Sequence, residues 1–296
     1  MVSKGEKMNT TKSNLDLSGV EETALLTLYA RANESRSKDP ILKDERAEEL
    51  AERLDQVLKG RSSTLAKQLV NQRMDPRLVI HIPLRSRKYD EYAGKFLEKY
   101  PEGVIVNLGC GMDTRFFRVD NGSCRFFDID LPAMIGIKRQ LVQETDRYRM
   151  IGQSVLEWGW MDAVESLQKQ VIFLAEGVFM YLAGDEVRPL VLEMQRRFPE
   201  SELVCELTNR VWVDGFWGKI AAMKMKHRIK MSTDVGFKFG VSNPRDLENW
   251  NAGIEFLEQW FYMDSDHPKL GWIKVFRNLK FFRNAQFTAY YQLHMA

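Results

Sequence analysis

Val104-Ile105-Val106-Asn107-Leu108-Gly109-Cys110-Gly111-Met112-Asp113-Thr114-Arg115 is the stretch whose reading decides the fold. Val104, Ile105, Val106 and Leu108 form a short, mostly β-branched apolar run, the pattern of a strand buried on both faces of a parallel sheet. Gly109 and Gly111 end it abruptly. Glycines placed directly after such a strand let a ligand approach the backbone with no side chain in the way, which is how α/β proteins build nucleotide-cofactor sites.

Moving downstream, Cys124-Arg125-Phe126-Phe127-Asp128-Ile129-Asp130 reads as a second strand with an acid at its C-terminal end. That acid lies about 20 residues past the glycines, the spacing of a ribose-binding carboxylate in a Rossmann-like unit. A helix over 132–145, a short strand over 148–151, a fourth strand over 171–175, a helix over 185–197 and a fifth strand over 202–206 follow. This alternation predicts a doubly wound parallel sheet. From 207 to 266 the alternation stops. Trp212, Phe216, Trp217, Met223, Met225, Met231 and Phe237-Lys238-Phe239-Gly240 read there as a mostly helical insertion over the C-terminal edge of the sheet. Residues 287–293 alternate as a terminal strand, expected to form an antiparallel edge together with 270–280.

Upstream, residues 1–17 read as a polar, disordered leader, and 18–74 as an N-terminal helical cap with helices over 20–33, 43–58 and 64–73. Arg85-Ser86-Arg87-Lys88-Tyr89-Asp90 is a dense polar cluster ahead of a helix over 90–100. Arginines just before a cofactor loop are either a solvated face or an anchor for a carboxylate or phosphate.

Composition narrows the function classes. The chain has 296 residues, 43 basic against 41 acidic, for a net charge of +2, so no electrostatic footprint for nucleic acid is present. It contains no apolar run of roughly 18 residues that would span a membrane. Cys110, Cys124 and Cys205 have no metal or redox spacing and read as buried free thiols in a reducing cytoplasm. His81, His227, His267 and His294 are scattered, so no metal site is expected.

The loop itself selects among cofactors. A dinucleotide fingerprint asks for a third glycine at 114, where this chain has Thr114, and Asp113 sets a carboxylate where a pyrophosphate would lie. No Gly-Lys-Ser/Thr string for a triphosphate is present. S-adenosylmethionine has a sulfonium, an amino-acid head and a ribose but no phosphate, and it suits this loop better than NAD(P), the second reading.

The string Asn107-Leu108-Gly109-Cys110-Gly111-Met112-Asp113-Thr114-Arg115 resembles the first cofactor motif of the leucine carboxyl methyltransferase family, class I S-adenosylmethionine-dependent methyltransferases. Glu21-Glu22-Thr23-Ala24, the arginines at 85 and 87, Asp128-Ile129-Asp130-Leu131-Pro132, Ala175-Glu176-Gly177-Val178 with Tyr181-Leu182, and the Phe237–Gly240 turn agree in order and spacing. The resemblance covers about 18–296 and fits the bacterial, tetracenomycin-type polyketide O-methyltransferase branch better than the phosphatase-modifying one.

That resemblance implies a Rossmann-like doubly wound sheet of seven strands, mostly parallel with an antiparallel C-terminal edge strand. A helical cap would precede it and a substrate-covering insertion (207–266) would follow the fifth strand. Arg85 would pair with the methionyl carboxylate, Arg87 being the nearby alternative. Gly109 and Gly111 would admit the methionine half, with Asp113 in the loop beside it. Asp130 would accept the ribose hydroxyls, supported by Asp128, and Ser154 and Val155 would stand at the adenine. Glu176 and Tyr181 would lie beside the methionyl amine and the methyl path. On the residues alone, Asp113 reads equally as a helix cap, and Arg115 and Arg118 as salt-bridge partners.

The implied activity is methyl transfer to a carboxylate or hydroxyl of a small molecule, by a cytoplasmic monomer or homodimer with no nucleic-acid or membrane partner. A carboxylate needs no base, whereas a phenol would want one, for which His227 is a weak candidate. The rivals are a protein C-terminal carboxyl methyltransferase and a non-catalytic module that binds S-adenosylmethionine.

Overall fold

β1 (Val104–Leu108) is buried at every position and sits between β2 (Arg125–Asp130) and β4 (Val171–Ala175), parallel to both. The computed structural model describes residues 22–59, 64–214, 218 and 236–295. The expected leader, together with Glu21, Phe216, Trp217, Met223, Met225, His227 and Met231, lies outside the described residues.

The sheet has seven strands in the order β3-β2-β1-β4-β5-β7-β6, with β3 at Tyr148–Gly152, β5 at Ser201–Thr208, β6 at Ile254–Phe261 and β7 at Gln286–Leu293. β7 runs antiparallel to both β5 and β6, so the other six strands are parallel and the reversed strand lies one in from the edge. The chain leaves β1 toward β3 and then returns to β4 on the other side. A crevice therefore opens between the C-terminal ends of β1 and β4, the position where doubly wound sheets bind ligands.

Period-two alternation sorts the strand residues between two helical layers. Ile105, Phe126 and Ile172 join one buried cluster with α1 (Glu22–Ser35), α2 (Glu45–Leu58), α3 (Thr64–Val70), α4 (Pro76–Lys99), the short α5 (Phe116–Val119) and α6 (Pro132–Leu141). Val104, Val106, Phe127 and Phe173 join the other, with α7 (Gly159–Glu165) and α8 (Gly184–Arg197). The expected cap helices thus lie in one of the sheet's own layers: Leu28, Tyr29, Leu50 and Leu54 are fully or almost fully buried in the cluster that holds Ile105.

Three expectations are corrected. α4 begins at Pro76, so the Arg85–Asp90 cluster lies inside a 24-residue helix rather than ahead of one. Pro83 is tolerated within it at the cost of one backbone hydrogen bond. Residues 254–261 of the expected helical insertion form the edge strand β6, and its partner is β7. Residues 268–278, expected to pair with β7, are instead 3-10 turns leading into the short α9 (Lys280–Arg283). β6 escapes notice because a bulge between Phe256 and Glu258 shifts its register and breaks the alternation.

At the far end of the sheet, the His294 ring lies between Glu200 (2.9 Å) and Glu255 (3.0 Å), joining the end of β7 to its two neighbours. All three cysteines are buried free thiols. No helix among the described residues is long and apolar enough to cross a membrane.

Candidate active site

The loop after β1 needs its glycines. Gly109 and Gly111 have φ of 57° and 49°, a left-handed conformation that side chains disfavour. A Cβ at Gly109 would also stand 2.6 Å from Val178 Cγ2. The loop is clamped to the tip of β2, where the backbone N–H of Gly111 and that of Leu131 each donate to Asp130 at 2.7 Å, one to each carboxylate oxygen. From the other side, Arg31 of α1 donates to the Met112 carbonyl at 2.8 Å. The Thr114 hydroxyl, where a dinucleotide site would have its third glycine, bonds the carboxylate of Asp44, the N-cap of α2.

Behind this loop, four arginines interleave with five carboxylates: Arg31, Arg85, Arg115 and Arg118 with Asp44, Asp90, Asp113, Glu176 and Glu206. Arg115 is the hub. Its guanidinium reaches Asp90 at 2.8 Å, Asp113 at 2.6 Å and Glu176. Arg118 bridges Asp44 (2.7 Å), Asp90 (2.6 Å) and Asp113 (3.3 Å). Arg85 donates to Glu176 at 2.8 Å and to Glu206 at 2.7 Å, and Ser86 adds a third bond to Glu176 at 3.0 Å. Burial opposes ionisation of Asp113 and Glu176, yet the arginines hold both carboxyls below their ordinary range. Glu206 behaves oppositely: burial pushes it up, Arg85 offsets only part of this, and the Glu176 charge adds to the rise.

The expected residues fall into three groups. Gly109, Gly111, Asp130, Ser154 and Val155 gather at the tips of β1, β2 and β3, since Gly152 pairs with Asp130 and the Gln153 N–H donates to the Asp130 carbonyl at 2.8 Å. Arg85 and Glu176 meet at the tip of β4. Asp113 and Asp128 are engaged inside the protein. Asp113 is held by three arginines. Asp128 is 2% exposed and bonded by Asn107 at 2.9 Å, Lys138 at 2.8 Å and the Tyr148 hydroxyl. Tyr181 lies in the turn after β4 with its ring 6.0 Å from that of Phe237. Arg87 turns toward Glu91 at 3.7 Å, away from the arginine cluster.

Sequence reasoning missed Asp44, Glu206 and His81. Glu206 carried a signal, because Ala175 pairs with Cys205 and both strands place a glutamate at the next position. His81 stands one helical turn before Arg85 on α4, its ring centroid 4.1 Å from that of Tyr262. Burial and the Arg85 charge push its pKa down to about 3, so the imidazole is neutral at physiological pH.

The cluster has one more carboxylate than guanidinium, and Asp130 lies beside it at the tip of β2. A cradle of that charge favours a cation over a pyrophosphate. S-adenosylmethionine, with a sulfonium, an ammonium and one carboxylate, is such a cation, and the residues present fit it.

The glycine loop at the tip of β1 and the acid at the tip of β2, in a seven-stranded sheet of order β3-β2-β1-β4-β5-β7-β6 with β7 reversed, are the architecture of a class I S-adenosylmethionine-dependent methyltransferase. Comparison with known proteins then fixes the family. The model of the leucine carboxyl methyltransferase family matches residues 24–195. The chain is 35% identical over 250 residues to the tetracenomycin polyketide synthesis O-methyltransferase TcmP of Streptomyces glaucescens, covering 84% of this chain and 85% of that one. It is 28% identical over 270 residues to the S-adenosyl-L-methionine-dependent methyltransferase dpfgK of Gibberella zeae, covering 88% of each. This chain belongs to the leucine carboxyl methyltransferase family, and it is an S-adenosylmethionine-dependent methyltransferase.

Proposed function

We propose that this enzyme methylates a carboxylate oxygen of a small, natural-product-like molecule. When bound, S-adenosylmethionine supplies an electrophilic methyl whose C–S bond breaks with its electron pair left on sulfur. Asp130, fixed by two backbone N–H groups, takes the ribose hydroxyls. Ser154 and Val155 flank the adenine, and Gly109 and Gly111 admit the methionine half. Arg85, steered by Glu176 and Glu206, presents its guanidinium to the methionyl carboxylate. Asp113, Asp128 and Arg115 act indirectly, by holding the loop and the strand tips.

What supports the choice of a carboxylate is the setting of His81, packed on the Tyr262 ring one helical turn before Arg85, whose charge together with burial lowers the basicity of the imidazole. An imidazole with its pKa near 3 takes no proton from a hydroxyl at neutral pH. Glu206 is tied to Arg85, and the Tyr262 phenol is pushed well above its ordinary range by burial. A carboxylate arrives already ionised, and the protein's task reduces to alignment and exclusion of water. The name of the relative TcmP, a polyketide O-methyltransferase, supports an oxygen on a small molecule.

Two measurements test this reading. Calorimetry with S-adenosylhomocysteine should give micromolar-range binding, weakened about tenfold or more in Asp130→Ala and Arg85→Ala, since each loses hydrogen bonds to a charged group. Labelled methyl transferred to 2-naphthoic acid should be released by mild alkali, as from an ester. Absence of cofactor binding, or an alkali-stable methyl, would overturn the reading.

A further inference from the structure

We infer that His81 is the residue that receives and orients the acceptor's carboxylate, as a hydrogen-bond donor; this rests on the carboxylate-methylating reading above. Two contacts fix where α4 crosses the sheet. The Tyr89 hydroxyl bonds the Ala175 carbonyl (3.3 Å), and Arg85, one turn earlier, bonds Glu176 just past the tip of β4. His81 is one further turn out, about 6 Å beyond Arg85 along the helix axis. It therefore stands above the sheet edge, on the face of α4 that Arg85 uses, at the mouth of the crevice.

The other side of the ring is closed by Tyr262, at the start of the turn that follows β6. His81 is thus held between the donor half and the β6–β7 half. Among the described residues neither ring nitrogen has a hydrogen-bond partner. Arg85 and Glu176 are the charged groups that act on it, and Arg85 is already engaged by two carboxylates. The polar group offered to an incoming acceptor here is consequently uncharged.

An uncharged donor suits the chemistry. A guanidinium or ammonium would grip the acceptor carboxylate more strongly but would draw charge from the oxygen that must attack. A neutral imidazole N–H fixes one oxygen by a single bond and leaves the other its electron density. No proton is transferred in this step, so a low basicity costs nothing. The Tyr262 ring, 4.1 Å from the imidazole, supplies aromatic surface beside it, which fits an aryl carboxylate.

The test uses the full chain saturated with S-adenosylhomocysteine, and compares 2-naphthoate with its hydroxyl counterpart 2-naphthol. Wild type should bind 2-naphthoate more tightly than 2-naphthol. His81→Ala should weaken 2-naphthoate about tenfold or more while changing 2-naphthol by less than about threefold, as expected for loss of one bond to a charged group. His81→Gln, which retains an N–H donor, should restore most of the naphthoate affinity. S-adenosylhomocysteine affinity should be the same in all three proteins, which also reports that each is folded. Equal losses for both probes, no rescue by Gln, or no preference of wild type for naphthoate would overturn the inference. Failure of wild type to bind S-adenosylhomocysteine would instead overturn the reading beneath it.

Discussion

The two halves of the sheet's active edge are built by different physics. On the β1–β2 side, Asp130 is held by two backbone N–H groups and Asp113 by three arginines, and the cluster around Arg115 ties α1, α2, α4 and the glycine loop together. On the β6–β7 side, the turns before β7 present apolar rings. Trp272 and Val275 are 67% and 69% exposed, and Trp212, Phe276, Phe281 and Phe282 touch one another at 4.8–5.7 Å between ring centroids. The first half is cross-linked by charge-assisted bonds. The second is held by ring-on-ring contacts rather than by buried charge.

The sharpest way to break this contrast is at Arg115. Arg115→Met leaves Asp90, Asp113 and Glu176 short of a buried counter-charge, and should cost about 3–5 kcal/mol in urea unfolding. A loss below about 1 kcal/mol would show that the network is looser than its geometry. Gly109→Ala comes next. Its left-handed φ and the clash with Val178 should cost about 1–3 kcal/mol, with S-adenosylhomocysteine affinity falling in parallel. Val275→Lys, on the other half, should change stability by no more than about 0.5 kcal/mol, because little packs on the side chain. A larger loss would mean that the apolar half is packed as tightly as the charged one.

The smallest effect lies at His294. Hydrogen bonds to Glu255 and Glu200 raise its pKa in the folded protein. A raised value means that the contribution is complete below the unfolded value of about 6.5 and is lost as pH rises through the higher folded value. Exposure and salt limit it to about 0.5 kcal/mol or less. The urea stability of wild type minus that of His294→Gln should therefore be larger at about pH 6 than at about pH 8.5. The opposite slope would show that the ring is neutral between the two glutamates.

The contrast also explains what can be read from the sequence. β1 and β4 are legible because strands buried on both faces are apolar runs, and the loop because two glycines interrupt such a run. Asp128 and Asp130 cannot be told apart: they lie two residues apart, on one face of β2, and only the reach of Lys138 and Tyr148 makes the first internal. Asp113 is visible as an acid in the loop, but of its arginine partners only Arg115 and Arg118 are neighbours in sequence, and Arg31 comes from the distant α1. β6 is hidden by its bulge, and the start of α4 by the density of polar residues over Arg85–Asp90. Local pattern is legible; pairings between distant segments are not.

The reversed strand has a consequence for how the chain is made. β7 follows all its partners in sequence, yet it fills the gap between β5 and β6. As the chain emerges from the ribosome, β1 to β5 can assemble in order, leaving β5 as an open edge of unpaired backbone groups. β6 has no neighbour to join until residues 286–293 arrive. A chain stopped before that point would hold a finished donor loop beside an adhesive edge, so premature termination here should yield aggregates rather than a weaker enzyme.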